Sequence, residues 1–368
     1  MNFVKEINKF NPSLKIEDAS MPPASWYTEK EFFNHEVKNI FNKTWQPVAH
    51  LSQLSSANSY LTGVSCNIPW LITRDEENKI RGFYNVCRHK GREIVRGSGN
   101  ARKNDLTCGY HAWKYCFDGQ LKSAPQMGGI NNFYKDQMGL LPLAVEEWGN
   151  WIFINGKNDS LPLSETLGNL TMMLEQRNWS KLQYHSTKEW TINCNWKVYI
   201  DNYLDGGYHI PFMHPSLDAQ LDMHTYKTVL YENYNIQTSG ATSSVKNNLS
   251  YDPNQRIGDG SIYAWIFPNF MLNLYGNCLD TNLVLPIDEN TCKVKYEFYY
   301  HEIDNKEAED FISTSIKQSD VTQVEDIEIC ESVQRGLNSG IYRSGRYSPK
   351  CEIGEYQFHQ FLHKIYSQ

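Results

Sequence analysis

No run of 18 apolar residues occurs anywhere in the 368-residue chain, which argues against a membrane-spanning helix. Basic residues are outnumbered: 35 Lys and Arg stand against 42 Asp and Glu, the formal charge is -7, and the pI is near 5.9. Without a basic stripe to neutralise phosphates, nucleic acid is not an expected partner. The N-terminus, MNFVKEINKFNPSLKIEDAS, has neither a continuous apolar core nor an arginine. Neither a signal peptide nor an organelle transit peptide is therefore expected, and the expected compartment is the cytoplasm. Nine cysteines, an odd number, fit a reducing compartment better than a disulfide framework. Repeats and low-complexity tracts are missing as well. Aromatic side chains, by contrast, are plentiful, with 23 Tyr and 10 Trp. They usually pack cores, but they also form pockets for organic cations.

The pattern along the chain predicts an α+β protein. Residues 24–44 carry Phe32, Phe33, Val37, Ile40 and Phe41 at helical spacing, with Thr28 and Glu31 placed as a capping box. Short β-like runs broken by Gly, Asn and Asp fill 45–155 and predict an all-β module. A helix is expected over 161–176 and another over 196–204, with Trp196, Tyr199, Ile200, Tyr203 and Leu204 on one face. Strands are expected over 226–236, 262–274 and 294–300. A long helix over 306–335 is expected to stop at Gly336, and a short aromatic helix over 356–365 closes the chain. The expected domains are a helical segment 1–44 packing on the C-terminal part, a β domain 45–157, and a C-terminal domain 158–368.

Two constellations carry chemistry. Cys87-Arg88-His89 and Cys108-Gly109-Tyr110-His111 each follow a β-like run and precede a turn, so each is expected at a loop tip. Two thiolates and two imidazoles could hold zinc tetrahedrally. They could equally hold a Rieske [2Fe–2S] cluster, with two Cys on one iron and two His on the other. Each loop offers one Cys and one His, an equivalence that favours the cluster, with zinc as the alternative. The second constellation is His209 and His214 in NWKVYIDNYLDGGYHIPFMHP. On an unbroken helix these rings would point about 140° apart. Pro211 lies between them and is expected to end or distort the helix, letting both turn to one point. Two imidazoles and a carboxylate form the donor set that holds Fe(II) on one face. Glu325-Asp326 is the best candidate source of the carboxylate, on an amphipathic helix with Val321, Val324 and Ile327 available for the core. The alternatives are ordinary loop histidines and a solvated acidic face.

NVCRHKGR and CGYHAWKYCFDGQ resemble the two cluster loops of Rieske oxygenases, whose second loop usually reads CPYHGWxY followed by DG. Gly109 and Ala112 replace the usual Pro and Gly. Neither loop has the extra cysteine of respiratory-type Rieske proteins, since Cys116 falls beyond the second loop. WKVYIDNYLDGGYHIPFMH, FPNFMLNLYGNCLDTNLVLP and EDIEICESVQRGLNSGIYRSGRYS extend the resemblance over essentially the whole chain. It is to the α-subunit of Rieske non-haem iron oxygenases, most like the choline monooxygenase type and its quaternary-ammonium relatives. The resemblance implies an N-terminal all-β Rieske domain and a helix-grip catalytic domain with an antiparallel sheet. It implies a [2Fe–2S] cluster on Cys87, His89, Cys108 and His111, and mononuclear Fe(II) on His209, His214 and Asp326. It further implies a ferredoxin or flavin reductase as electron donor, a homotrimer, and O2-dependent hydroxylation of a substrate such as choline to betaine aldehyde hydrate. Glycine betaine, carnitine and aromatic substrates are the alternatives. Family members often place an electron-bridging acid three residues before the first iron histidine. That position is Gly206 here, so Asp205, four before, is the candidate bridge, ahead of Asp201. Trp265, Phe267, Phe270, Tyr275, Tyr203 and Phe212 are candidates for holding a trimethylammonium group, each with core packing as the alternative. The remaining histidines, such as His35, His185 and His359, are read as structural or surface residues.

Overall fold

The β-branched and aromatic runs of the N-terminal half pair into a seven-stranded antiparallel sheet. Its strand order is Gln46–His50, Trp151–Asn155, Pro142–Trp148, Ile80–Tyr84, Ile68–Arg74, Ser59–Ser65 and Ser98–Asn100. A three-stranded sheet, Asp105–Thr107, Lys114–Cys116 and Leu121–Ser123, completes this unit, which spans Val37–Leu163. These features belong to a computed structural model that describes residues 2–101, 105–242 and 256–368. Leu71, Phe83, Leu106, Trp113 and Tyr115 form one buried cluster of the unit, and Cys87 and Cys108 belong to it.

Residues up to Glu36 together with Ser164–Gln368 form the second unit. Its sheet has seven antiparallel strands in the order Gln183–Ile192, Thr291–Tyr300, Cys278–Asp288, Phe270–Leu274, Gly260–Ile266, Tyr234–Ala241 and Leu221–Leu230. Four central strands are buried on nearly every residue, because side chains on both faces are covered. The helix Trp196–Leu204 is capped by Asn195, whose side chain accepts from the Lys197 N–H. It is anchored by Glu36, which accepts from Trp196 Nε1 at 2.7 Å and from Lys197 Nζ at 2.6 Å. Lys197 and Glu36 are both fully buried, so removing either partner would strand a charge.

The long helix Lys306–Asn338 starts at the Asn305 cap and buries Phe311, Ser315, Ser319, Gln323, Asp326 and Cys330 at spacings of three and four. Val321 and Val324, expected in the core, are exposed instead. The helix turns a polar stripe inward because that stripe has hydrogen-bond partners there. Gln323 Oε1 accepts from Tyr199 at 2.6 Å and from Tyr296 at 2.5 Å.

Several expected boundaries shift for local reasons. Residues 161–176 form two short helices, Leu163–Leu167 and Leu170–Glu175, separated by Gly168 at φ +49°. The segment 226–236 spans the turn between Leu221–Leu230 and Tyr234–Ala241, and 262–274 spans the turn at Phe267-Pro268. Gly336 does not stop the long helix, which runs two residues further. Thr28 donates to the Ala24 carbonyl and ends its own turn rather than capping the next helix, which starts at Lys30. No helix among the described residues is long and apolar enough to cross a membrane.

Candidate metal centres

The two Cys/His loops are built alike down to the backbone. Cys87 N–H donates to the Arg92 carbonyl and Gly91 N–H to the Cys87 carbonyl; Cys108 N–H donates to the Trp113 carbonyl and Ala112 N–H to the Cys108 carbonyl. The offsets are the same in both loops. Gly91 and Ala112 occupy equivalent left-handed positions, at φ +73° and +57°. For glycine that conformation is free; alanine's Cβ makes it cost about 1–2 kcal/mol.

The folds of these loops bring Cys87, His89, Cys108 and His111 around one small void. The His89 and His111 rings lie 4.5 Å apart, and His89 stacks on Trp113 at 4.9 Å. The Tyr115 hydroxyl lies 3.3 Å from Cys87 Sγ and accepts from the Arg88 N–H at 3.0 Å. Burial pushes the Cys108 thiol above its ordinary pKa, and the neighbouring Cys87 adds to the effect. Nδ1 of His89 is buried without a hydrogen-bond partner among the described residues. An orphaned ring nitrogen beside two adjacent thiols is what an iron–sulfur ligand set looks like before its iron is included.

The second centre is made by a helix that stops early. Trp196–Leu204 ends at Asp205, well before Pro211, because Gly206 and Gly207 both adopt positive φ, +71° and +75°. A Cβ on Gly206 would lie 2.1 Å from the Cys351 carbonyl oxygen, and one on Gly207 would meet the Tyr226 ring at 2.8 Å. Pro211 does not break the helix; it sits in the first turn of the separate piece Ile210–Met213.

This chain path turns both imidazoles to one point. His209 Nε2 and His214 Nε2 lie 3.0 Å apart, and Asp326 Oδ1 is 3.1 Å from the latter and 3.8 Å from the former. Two lone-pair nitrogens and a carboxylate oxygen this close could hold one metal ion. Each ring is oriented from behind by a carboxylate: Asp205 Oδ2 is 2.6 Å from His209 Nδ1, and Glu325 Oε2 is 2.6 Å from His214 Nδ1. Such outer partners fix the tautomer and point the other nitrogen inward. Burial disfavours the charged form of His214, but the hydrogen bonds and charges of Asp326 and Glu325 outweigh it and raise its pKa. Asn202 Nδ2 donates to Asp326 Oδ1 at 2.8 Å.

Asp205 also accepts from the N–H groups of Gly207, Tyr208 and His209, so the bridge candidate lies in direct contact with the first histidine. Asp201 points elsewhere, to Tyr27 at 2.7 Å and His359 at 3.1 Å. The contribution of Glu325 was not legible in the sequence beyond its adjacency to Asp326. Five tyrosines, Tyr203, Tyr226, Tyr263, Tyr275 and Tyr296, line the cavity at this centre. Of the expected aromatic candidates only Tyr203 and Tyr275 are among them. Trp265 is fully buried, donates to the Pro268 carbonyl and packs on Phe358 and Phe267, while Phe212 is 76% exposed. Tyr226, Tyr263 and Tyr296 were missed because alternation along three different strands does not reveal that they face one cavity.

Comparisons with known proteins agree with this geometry. Residues 44–134 match the Rieske [2Fe-2S] domain, and 179–368 match the ring hydroxylating alpha subunit (catalytic domain). The chain is 40% identical over 370 residues to the chloroplastic choline monooxygenase of Arabidopsis thaliana, covering 98% of this chain and 86% of that one. It is 30% identical to the carnitine monooxygenase oxygenase subunit of Escherichia coli K12, covering 95% of each. The crystal structure of the quaternary ammonium Rieske monooxygenase CntA with L-carnitine superposes with a TM-score of 0.80 at 29% identity, covering 97% of each chain. With both of its halves matched and a relative of this similarity spanning nearly its full length, the chain belongs to the Rieske non-haem iron oxygenases, as an α-subunit of the choline monooxygenase-like kind.

Proposed function

We propose that this oxygenase acts on quaternary ammonium compounds and that choline is its substrate, oxidised at the carbinol carbon. The balance is R–CH2OH + O2 + 2 e− + 2 H+ giving R–CH(OH)2 + H2O, the hydrate of betaine aldehyde. The observation that carries the reading is the cavity wall: five tyrosines, and neither Lys nor Arg among its described lining residues. Tyrosine faces attract a desolvated trimethylammonium group by about 1–2 kcal/mol each. Carnitine and glycine betaine bear a carboxylate that would ask for a cationic partner, whereas choline does not. Arg256, which stacks 4.2 Å from the Tyr275 ring centre, is buried and already paired with Asp280. The choline monooxygenase of Arabidopsis thaliana supports the same choice.

In this reading His209, His214 and Asp326 hold Fe(II), and Cys87, His89, Cys108 and His111 hold the cluster. When bound, the cluster supplies electrons singly and the mononuclear iron supplies the place where O2 is reduced. The protein's own part is positioning. Asp205 and Glu325 retain the Nδ1 protons of the two histidines, which keeps both Nε2 atoms aimed inward. Burial raises the Tyr203, Tyr226, Tyr263 and Tyr296 hydroxyls well above the ordinary range, so they stay neutral and bring no negative charge beside the iron ligands. Tyr203 donates to Asn273 Oδ1 at 2.9 Å, which fixes its ring. Asp205, held against His209, would link this centre to the cluster of a second copy, within a homotrimer fed by a ferredoxin or flavin reductase. The plant relatives carry chloroplastic in their names.

The test is product formation, with reductant and O2 consumption, for choline, glycine betaine, carnitine and aromatic acids. Betaine aldehyde from choline is expected; product only from a carboxylate-bearing or aromatic substrate overturns the choice. Asp205→Asn is expected to retain iron and cluster while losing turnover.

A further inference from the structure

A buried ion pair stands directly behind the wall of the iron cavity. Asp280, on the strand Cys278–Asp288, lies opposite Asn273 in the sheet register and two residues before Asn282. Its side chain therefore shares the sheet face from which both asparagines line the cavity. Asp280 is 1% exposed and is paired with Arg256, itself 6% exposed. The Arg256 guanidinium stacks 4.2 Å from the centre of the Tyr275 ring, and Tyr275 lines the cavity. A fixed positive charge is thus one ring away from the ligand space, and Asp280 is set against it.

The pair is only partly satisfied. Ser319, on the long helix, donates to Asp280 Oδ2 at 2.6 Å. Asp280 Oδ1 and Arg256 Nε, however, are buried without hydrogen-bond partners among the described residues. Arginine cannot shed its proton in a protein, so the charge balance at this place rests on Asp280. A buried pair of this kind adds little stability over apolar residues of the same volume. Stability alone therefore does not account for placing one against a tyrosine of the ligand cavity.

We propose that Asp280 is a specificity-determining residue: by cancelling the Arg256 charge behind Tyr275, it lets the cavity accept a trimethylammonium alcohol and denies it a carboxylate-bearing relative. This rests on the quaternary-ammonium reading above and deepens it. An ammonium ion held against the other face of the Tyr275 ring would lie about 8–10 Å from the guanidinium, one contact distance being added on either side of the ring. At that range an uncancelled unit charge inside a protein changes the affinity of an ion by about tenfold or more. Without Asp280 the guanidinium would repel the ammonium group and offer its freed N–H groups to a carboxylate. Asp205 and Asp326, which also line the cavity, contribute equally to every comparison below and cancel from it.

The experiment is calorimetric titration of the anaerobic holoenzyme at neutral pH with choline, with its uncharged isostere 3,3-dimethylbutan-1-ol, and with glycine betaine. The ratio of choline affinity to isostere affinity reads the electrostatics and leaves out changes of shape. Asp280→Asn should lower that ratio by about tenfold or more, keep isostere affinity within about threefold, and raise glycine betaine relative to choline. Arg256→Gln, which leaves Asp280 uncompensated, should raise the ratio by about threefold or more. The double variant Arg256→Gln/Asp280→Asn is neutral again and should bring the ratio back to within about threefold of the wild type. If one single variant fails to fold, the other decides, because each moves the ratio in a stated direction. A ratio unmoved in the folded single variants overturns the proposal. So does equal loss of choline and isostere, which is what a purely structural role gives, or a double variant that does not recover. These results leave the substrate reading standing. Failure of that reading shows in the wild type instead, as no preference for choline over its isostere, and the proposal falls with it.

Discussion

Glu325→Gln tests whether the carboxylates behind the two histidines matter to the metal. Glu325 Oε2 lies 2.6 Å from Nδ1 of His214, whose side chain is 1% exposed, while that of Glu325 is 28% exposed. Gln can still accept from Nδ1, so the ring keeps its orientation and loses only the negative charge behind it. Removing an outer partner of a ligating histidine typically weakens metal binding by about 10- to 100-fold, or about 1.4–2.7 kcal/mol. Partial exposure screens the charge, so Glu325→Gln belongs near tenfold and Glu325→Ala, which also loses the acceptor, near a hundredfold. The assay is anaerobic Fe(II) titration of protein whose mononuclear site has been stripped with a chelator while the cluster is retained, read by recovered turnover and by Co(II) absorption. Glu328→Gln, exposed on the same helix, is the control. If Glu325→Ala binds Fe(II) as the wild type does, or if Glu328→Gln weakens it equally, the second-layer reasoning is wrong.

Gly206→Ala combines a left-handed φ with a Cβ placed against the Cys351 carbonyl oxygen, and is expected to cost at least about 3 kcal/mol, seen as a lower unfolding temperature and loss of iron binding. Ala112→Gly should do the reverse. Relief of a left-handed alanine slightly exceeds the entropy glycine adds to the unfolded chain, a net gain of about 0.5 kcal/mol that slower cluster loss in denaturant would report. Glu355, buried beside the charges of Asp201, Glu352 and Asp205, sets a pH dependence. Its folded pKa is raised above the unfolded value near 4.5, so the folded state binds the extra proton and stability falls as pH rises from there toward the folded pKa. Glu355→Gln should therefore unfold at a higher temperature than the wild type at neutral pH, and the difference should shrink toward pH 4.5; a difference that grows on acidification refutes the assignment.

The local signals in the chain were strong where chemistry and backbone geometry coincide within a few residues. The Cys/His loops, the helix over 196–204 and the paired histidines each announce themselves in one short segment. Reading Pro211 as the helix breaker failed because glycines earlier in the chain had already ended the helix. Placing Val321 and Val324 in the core failed because hydrophobicity is a weak guide to the inward face of a helix when buried tyrosines and asparagines supply partners for polar groups. The aromatic pocket was half legible: plentiful tyrosine signalled it, yet membership depends on strand order.

The sequence alone determined the ligand chemistry, since softness, charge and spacing of Cys87, His89, Cys108, His111, His209 and His214 restrict which metals and clusters they suit. Tertiary structure decided everything that joins distant segments: Asp326 to the two histidines, Glu325 to His214, and five tyrosines to one wall. The reason is physical. A donor atom's identity is a covalent property of its residue, whereas its partners are set by packing that brings residues more than a hundred positions apart within hydrogen-bonding distance.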